Sequence, residues 1–208
     1  DFHLPGRSPV FASNGMCATS SPLAAKVAVQ ILEAGGNAVD AAIAGAVVLG
    51  LCEPQMTGIG GDCFVLVKPA GSDDVVALNG SGRAPAALEA DAIRAAGHSV
   101  MPLGDASAVT VPGAMDAFCR LSKDFGKAGL KMSLAPAIYY ARAGVPIAPR
   151  TCSDWAAAAD RLQGDARDFY LLNGQAPTPG QVFYAPNQAE VLERVALDGR
   201  DAFYEGEI

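Results

Sequence analysis

The stretch Glu53-Pro54-Gln55-Met56-Thr57-Gly58-Ile59-Gly60-Gly61-Asp62-Cys63-Phe64-Val65-Leu66-Val67-Lys68 sets the architecture of this chain. Pro54 ends the helix before it, because the residue preceding a proline is pushed out of helical geometry. Gly58, Gly60 and Gly61 then permit positive φ or close backbone approach. Cys63 to Lys68 is a short, β-rich run without polar alternation, which predicts a strand buried on both faces. The turn Pro69-Ala70-Gly71-Ser72-Asp73-Asp74 leads to a second strand, Val75 to Asn79, so the pair predicts an antiparallel hairpin.

Upstream, Ala38 to Leu51 is nearly all apolar, as in a helix enclosed by protein, with Asn37 as its cap. Asp40 lies in its first turn and must be paired or capped if buried. Before it, Leu23, Val27 and Ile31 line one face of a helix from Pro22 to Glu33, capped by Ser20 or Ser21 and ended by Gly35-Gly36. Residues 1–15 read as a loose lead-in. Downstream the signal is helical: Asp91–Ala96, Pro112–Phe125, Ser133–Ala143, Cys152–Arg161 and Asn187–Asp198. Two strands among many helices give an α+β layered unit. A two-stranded sheet is marginal alone, so the unit is expected to be part of something larger.

Composition narrows the function. The chain has 208 residues, 50% hydrophobic and 18% charged, which excludes wholesale disorder. Its net charge of −7 repels phosphate backbones and argues against a nucleic-acid partner. The apolar run Ala41–Cys52 is shorter than the roughly 20 residues a bilayer requires, so no membrane span is expected. Asp1 to Gly6 has neither a basic start nor an apolar core, which favours a cytoplasmic chain over a periplasmic one, or a chain already trimmed. The five cysteines form no CxxC pair and read as buried free thiols. With only His3 and His98 available, a zinc site is not expected.

No Ser/His/Asp set emerges, and Gly80-Ser81-Gly82 lacks the spacing of a nucleophile elbow. Gly58-Ile59-Gly60-Gly61 precedes a strand, whereas a dinucleotide cradle follows one and opens a helix. The segment Asn79-Gly80-Ser81-Gly82-Arg83-Ala84-Pro85 is more informative. It follows a strand and offers a hydroxyl and a guanidinium between glycines. A guanidinium suits a carboxylate through two parallel hydrogen bonds, although such an arginine also serves as a surface ion pair. Trp155, Tyr139 and Tyr140 read as packing groups.

Several ordered motifs then carry a resemblance. They are Gly15-Met16-Cys17-Ala18-Thr19-Ser20-Ser21-Pro22, Gly35-Gly36-Asn37-Ala38-Val39-Asp40-Ala41-Ala42 and Glu53-Pro54-Gln55-Met56-Thr57-Gly58-Ile59-Gly60-Gly61-Asp62. Val111-Pro112-Gly113-Ala114-Met115, Leu134-Ala135-Pro136-Ala137-Ile138 and the tail Asp201-Ala202-Phe203-Tyr204-Glu205-Gly206 follow in order. Together they resemble the large-subunit start of the γ-glutamyltranspeptidase family, over about residues 10 to 208.

The resemblance implies a four-layer αββα sandwich of the N-terminal-nucleophile hydrolase type, this chain supplying helical layers and part of the sheets. It implies a precursor that cuts itself into two subunits. A threonine at the new N-terminus of the small subunit attacks the γ-glutamyl amide, and no metal or organic cofactor takes part. Residues 1–208 are then the N-terminal portion of the large subunit, a single domain completed by sequence or a partner chain beyond it. Asp1 supplies no hydroxyl or thiol nucleophile, so no catalytic residue is expected in this chain. The expected partners are the small subunit and a γ-glutamyl or related amide.

The family's strand after the glycine cluster ends in an Arg-Glu-x-Ala-Pro-like stretch, whose arginine holds the acyl donor's carboxylate. Anchored on Ala84-Pro85, that arginine falls on Ser81, and Arg83 lies two places on. Ser81 and Arg83 are therefore the candidate substrate-binding residues. If the segment is extended, they share a face. The departure leaves two alternatives open beside γ-glutamyl transfer or hydrolysis: an acylase acting on a dicarboxylic, glutaryl-type amide, and a non-catalytic family member.

Overall fold

The computed structural model of the protein describes Gly6, residues 8–206 and Ile208. Asp1 and His3 of the lead-in lie outside the described residues. The chain opens with α1 (Pro22–Glu33) and α2 (Ala38–Cys52), followed by the hairpin β1 (Cys63–Val67) and β2 (Val76–Gly80). After α3 (Ala90–Ala95) come α4 (Ala114–Phe125), α5 (Leu130–Ala143), β3 (Val145–Pro146), α6 (Pro149–Ala158) and α7 (Asp165–Tyr170). The described chain ends through β4 (Val182–Phe183), α8 (Pro186–Asp198) and α9 (Asp201–Tyr204).

α2 is the hub. It buries residues all round, among them Ile43, Val47, Val48 and Leu51, because α1, α4 and α5 all pack against it. α1 contributes Ala24, Val27, Ala28 and Ile31, and ends where Gly35 takes φ +94°, a value that favours glycine. α8 closes the far side of α5 through Ala189, Leu192 and Val195. Trp155 is buried edge-on against Phe183 and Tyr170, as a packing group should be. Tyr139 instead stands 63% exposed.

The start of α2 shows why a charge is tolerated in an apolar helix. The Asn37 side chain accepts from the N–H groups of Val39 (3.0 Å) and Asp40 (3.1 Å), and its amide donates to the Phe125 carbonyl (2.6 Å). Asp40 is fully buried, and one carboxylate oxygen accepts from the N–H groups of Asn37 (2.9 Å), Lys127 (2.9 Å) and Ala128 (3.0 Å). The cap therefore also ties α2 to the turn between α4 and α5. Replacing Asn37 with Ala removes both functions. An expected loss of about 2 kcal/mol would appear as a lower urea midpoint of the full protein.

The hairpin pairs Cys63 with Gly80 and Val67 with Val76, in antiparallel register. Its two faces differ, contrary to a strand buried on both. Cys63, Val65, Val67 and Leu78 pack on the helical core. Phe64 and Leu66 on the opposite face are 66% and 76% exposed. The apolar run marks both faces for burial, but the described residues cover only one. Several boundaries also shift. α4 begins at Ala114 rather than Pro112, because the Pro112 carbonyl is engaged elsewhere, and α5 begins at Leu130 with Pro136 inside it. Cys152–Arg161 divides into α6, which starts earlier at Pro149, and a 3-10 turn at Ala159–Arg161. The short elements α7, α9, β3 and β4 carry too few residues for a periodic signal.

Candidate functional site

Three backbone segments converge at the end of the hairpin: residues 58–62 before β1, 79–85 running out of β2, and 110–114 entering α4. The Gly61 carbonyl accepts from the N–H groups of Gly113 (3.0 Å) and Ala114 (3.1 Å). The Arg83 carbonyl accepts from Val111 N–H (2.9 Å), and the Thr110 hydroxyl donates to the Ser81 carbonyl (3.1 Å). Glycines make the approach possible. A Cβ on Gly113 would lie 2.2 Å from the Gly80 carbonyl oxygen, and one on Gly82 would lie 1.8 Å from that of Val111. Backbone cannot retreat from such overlaps as a flexible side chain can.

Ser81 and Arg83 both sit on this platform, but they do not share a strand face. β2 ends at Gly80, and Gly82 takes φ +77°, so the extended geometry behind that expectation breaks between them. Ser81 is half-buried. Its N–H donates to Asn79 Oδ1 (3.0 Å), and its hydroxyl makes a long contact with the Gly82 carbonyl (3.4 Å). Arg83 is exposed, anchored by its backbone carbonyl, and its guanidinium has no hydrogen bond or ion pair among the described residues. A free guanidinium on a rigid loop can bind a carboxylate in the geometry the fork requires. His98 stands exposed on the turn after α3, its backbone N–H donating to the Ile93 carbonyl (3.3 Å).

A second layer supports the platform from the C-terminal tail. The Tyr204 hydroxyl donates to the Pro112 carbonyl (2.7 Å) and accepts from Asp116 N–H (3.0 Å). Burial is the main cause pushing the Tyr204 phenol up from its ordinary value. Arg200 lies over the Tyr204 ring at 4.6 Å and pairs with Asp116 (2.6 Å) and Asp201 (3.2 Å). Beside them the Cys119 thiol is pushed up to about 11, first by burial and then by Asp116, so it is a poor nucleophile. Tyr204, Asp116, Arg200 and Thr110 were not foreseen as parts of this region. The tail motif Asp201–Gly206 was visible, but only the fold brings it beside Pro112, 92 positions away in sequence.

The γ-glutamyltranspeptidase family model matches residues 24–208. The chain belongs to this family. It is 36% identical over 202 residues to the glutathione hydrolase-like YwrD proenzyme of Bacillus subtilis, covering 96% of this chain and 38% of that protein. Cephalosporin acylase from Bacillus halodurans superposes with a TM-score of 0.90 at 42% identity, over 100% of this chain and 40% of that one. Helicobacter pylori γ-glutamyltranspeptidase superposes with a TM-score of 0.89 at 26% identity, over 96% of this chain and 59% of that one. This family member thus spans less than two thirds of the relatives it matches. Its fold is that of the N-terminal-nucleophile hydrolases, α+β, with helical layers and part of the sheets in the αββα sandwich.

Proposed function

We propose that residues 1–208 form the N-terminal portion of a large subunit that works in γ-glutamyl acyl transfer or hydrolysis, of the γ-glutamyltransferase or glutathione hydrolase type. The small subunit of the same precursor supplies the nucleophile, a threonine at its N-terminus. The threonine hydroxyl attacks the amide carbonyl while its own α-amine takes the proton. The C–N bond then breaks, the departing amine takes that proton, and an acyl ester remains on the threonine. Water or an amino acid's amine cleaves the ester and restores the hydroxyl. This chain contributes no reacting atom, is inactive alone, and needs no metal or organic cofactor.

The observation that carries the reading is Arg83, an exposed guanidinium without a partner among the described residues, on a loop held by the 110–114 segment. A γ-glutamyl group ends in an α-carboxylate, which a guanidinium fork matches. Ser81 occupies the position where the resemblance places the family's arginine, and it lines the same loop as a hydroxyl donor to the acyl group. In the full proenzyme, replacing Arg83 with Ala is expected to raise KM for γ-glutamyl-p-nitroanilide by about 10–150-fold, the range for losing a charge-assisted contact. An unchanged KM would exclude Arg83 as the clamp.

A second reading has its own support. The 42% identity to a cephalosporin acylase supports a dicarboxylic amide as substrate. A glutaryl group differs from γ-glutamyl only by lacking the α-ammonium, so the same clamp serves both. Comparing kcat/KM for glutaryl- and γ-glutamyl-p-nitroanilide separates the two. A small subunit lacking the threonine would instead support a non-catalytic protein.

A further inference from the structure

We infer that Tyr204 is a positioning residue for acyl-donor binding, acting through the backbone that carries Ser81 and Arg83. The inference rests on the carboxylate-clamp reading of Arg83 and assigns a role to the C-terminal tail motif. The Tyr204 hydroxyl bridges the Pro112 carbonyl (2.7 Å) and the Asp116 N–H (3.0 Å), so it spans the entry into α4. The residues just before that bridge hold the clamp loop. Val111 N–H donates to the Arg83 carbonyl (2.9 Å), and the Thr110 hydroxyl donates to the Ser81 carbonyl (3.1 Å).

The connection is stiff for identifiable reasons. Gly113 sits against Gly80 and Gly82 with no room for even a methyl group, so the two segments move together or separate altogether. Asp116, whose N–H forms one end of the bridge, is held through its carboxylate by Arg200, which also covers the Tyr204 ring. The ring packs edge-on against Phe203 at 4.9 Å. The phenol is therefore aimed by its neighbours before it makes either hydrogen bond. Removing the hydroxyl alone leaves the ring packing and the Arg200 contact in place, and it frees the Pro112 carbonyl and the Asp116 N–H. The segment 110–113 then loses its outer support, and the Arg83 guanidinium samples positions away from the carboxylate.

The test uses the full proenzyme and Tyr204→Phe, with Arg83→Ala and the double variant for comparison. Amide exchange followed by mass spectrometry over residues 108–114 is expected to speed up in Tyr204→Phe, while exchange in α2 stays as in the parent. KM for γ-glutamyl-p-nitroanilide is expected to rise roughly 3–10-fold, the range that one lost hydrogen bond allows, with kcat within about twofold. The double variant should show no KM increase beyond that of Arg83→Ala. Unchanged exchange in 108–114 would overturn the inference. So would faster exchange with an unchanged KM, a fall in kcat without a KM change, or KM effects that multiply in the double variant. An Arg83→Ala variant with parental KM would instead sink the clamp reading, whatever Tyr204→Phe does to exchange.

Discussion

Gly82→Ala is expected to destabilise the protein by about 2–5 kcal/mol and, on the proposed clamp role of Arg83, to abolish measurable acyl-donor binding. Two costs combine at this residue. Its φ of +77° lies in the left-handed region, where an L side chain costs roughly 1–2 kcal/mol. The new Cβ would also stand 1.8 Å from the Val111 carbonyl oxygen, and relieving an overlap of that kind typically costs about 1–3 kcal/mol. Relieving it strains the Val111–Arg83 hydrogen bond, which holds the loop that carries the proposed Arg83 clamp. Denaturant unfolding of the full proenzyme and KM for γ-glutamyl-p-nitroanilide measure the two effects. A variant with parental stability would show that this loop is not packed as described. Gly71→Ala is the contrasting control. It has φ +75° but nothing within 4 Å of a new Cβ, so it should carry the conformational cost without the overlap.

The second large effect is at Asp40. Asp40→Ala is expected to cost about 3–5 kcal/mol, because it strands part-buried N–H groups of Asn37, Lys127 and Ala128 that now share one carboxylate oxygen. Asp40→Asn should fall between the two, since an amide oxygen still accepts but carries no charge. The pH dependence follows from the carboxylate's environment. Burial pulls the Asp40 carboxyl up, and hydrogen bonds from the N–H groups of Asn37, Lys127, Ala128 and Gly129 outweigh it, so the net position is below the usual carboxylate range. A group depressed in the folded state stabilises the fold above its unfolded pKa, near 4. That stabilisation disappears as the pH falls through the lower folded value. The parent protein should therefore lose stability more steeply than Asp40→Asn as the pH is lowered below about 4. Parallel stability–pH curves for the two would show that the Asp40 charge does not contribute.

These two residues mark where sequence reading succeeds and where it stops. That Asp40 requires partners, and that Asn37 caps α2, follow from local chemistry: a charge in an apolar helix and a short polar side chain at its start. The partners on the turn after α4 do not follow, because Lys127 and Ala128 reach Asp40 across 87 and 88 positions through backbone groups that every residue possesses. The hairpin and its turn were legible for the same reason as the cap, since β-rich runs and a glycine-containing turn act locally. The face it leaves bare was not, since an apolar run records that a surface is to be buried but not what buries it.

The sequence by itself determined the longer helices, the hairpin, the capped start of α2, the family membership and the loop on which Ser81 and Arg83 lie. Only the tertiary structure decided that Gly82 turns this loop out of the extended form and that segment 110–114 holds it. It also decided that Tyr204 closes the support from the far end of the chain. The division has one physical cause. Secondary structure and caps depend on side chains within a few residues of each other, whereas the platform is made mostly of backbone carbonyls and N–H groups, which carry no sequence signature until folding brings them together.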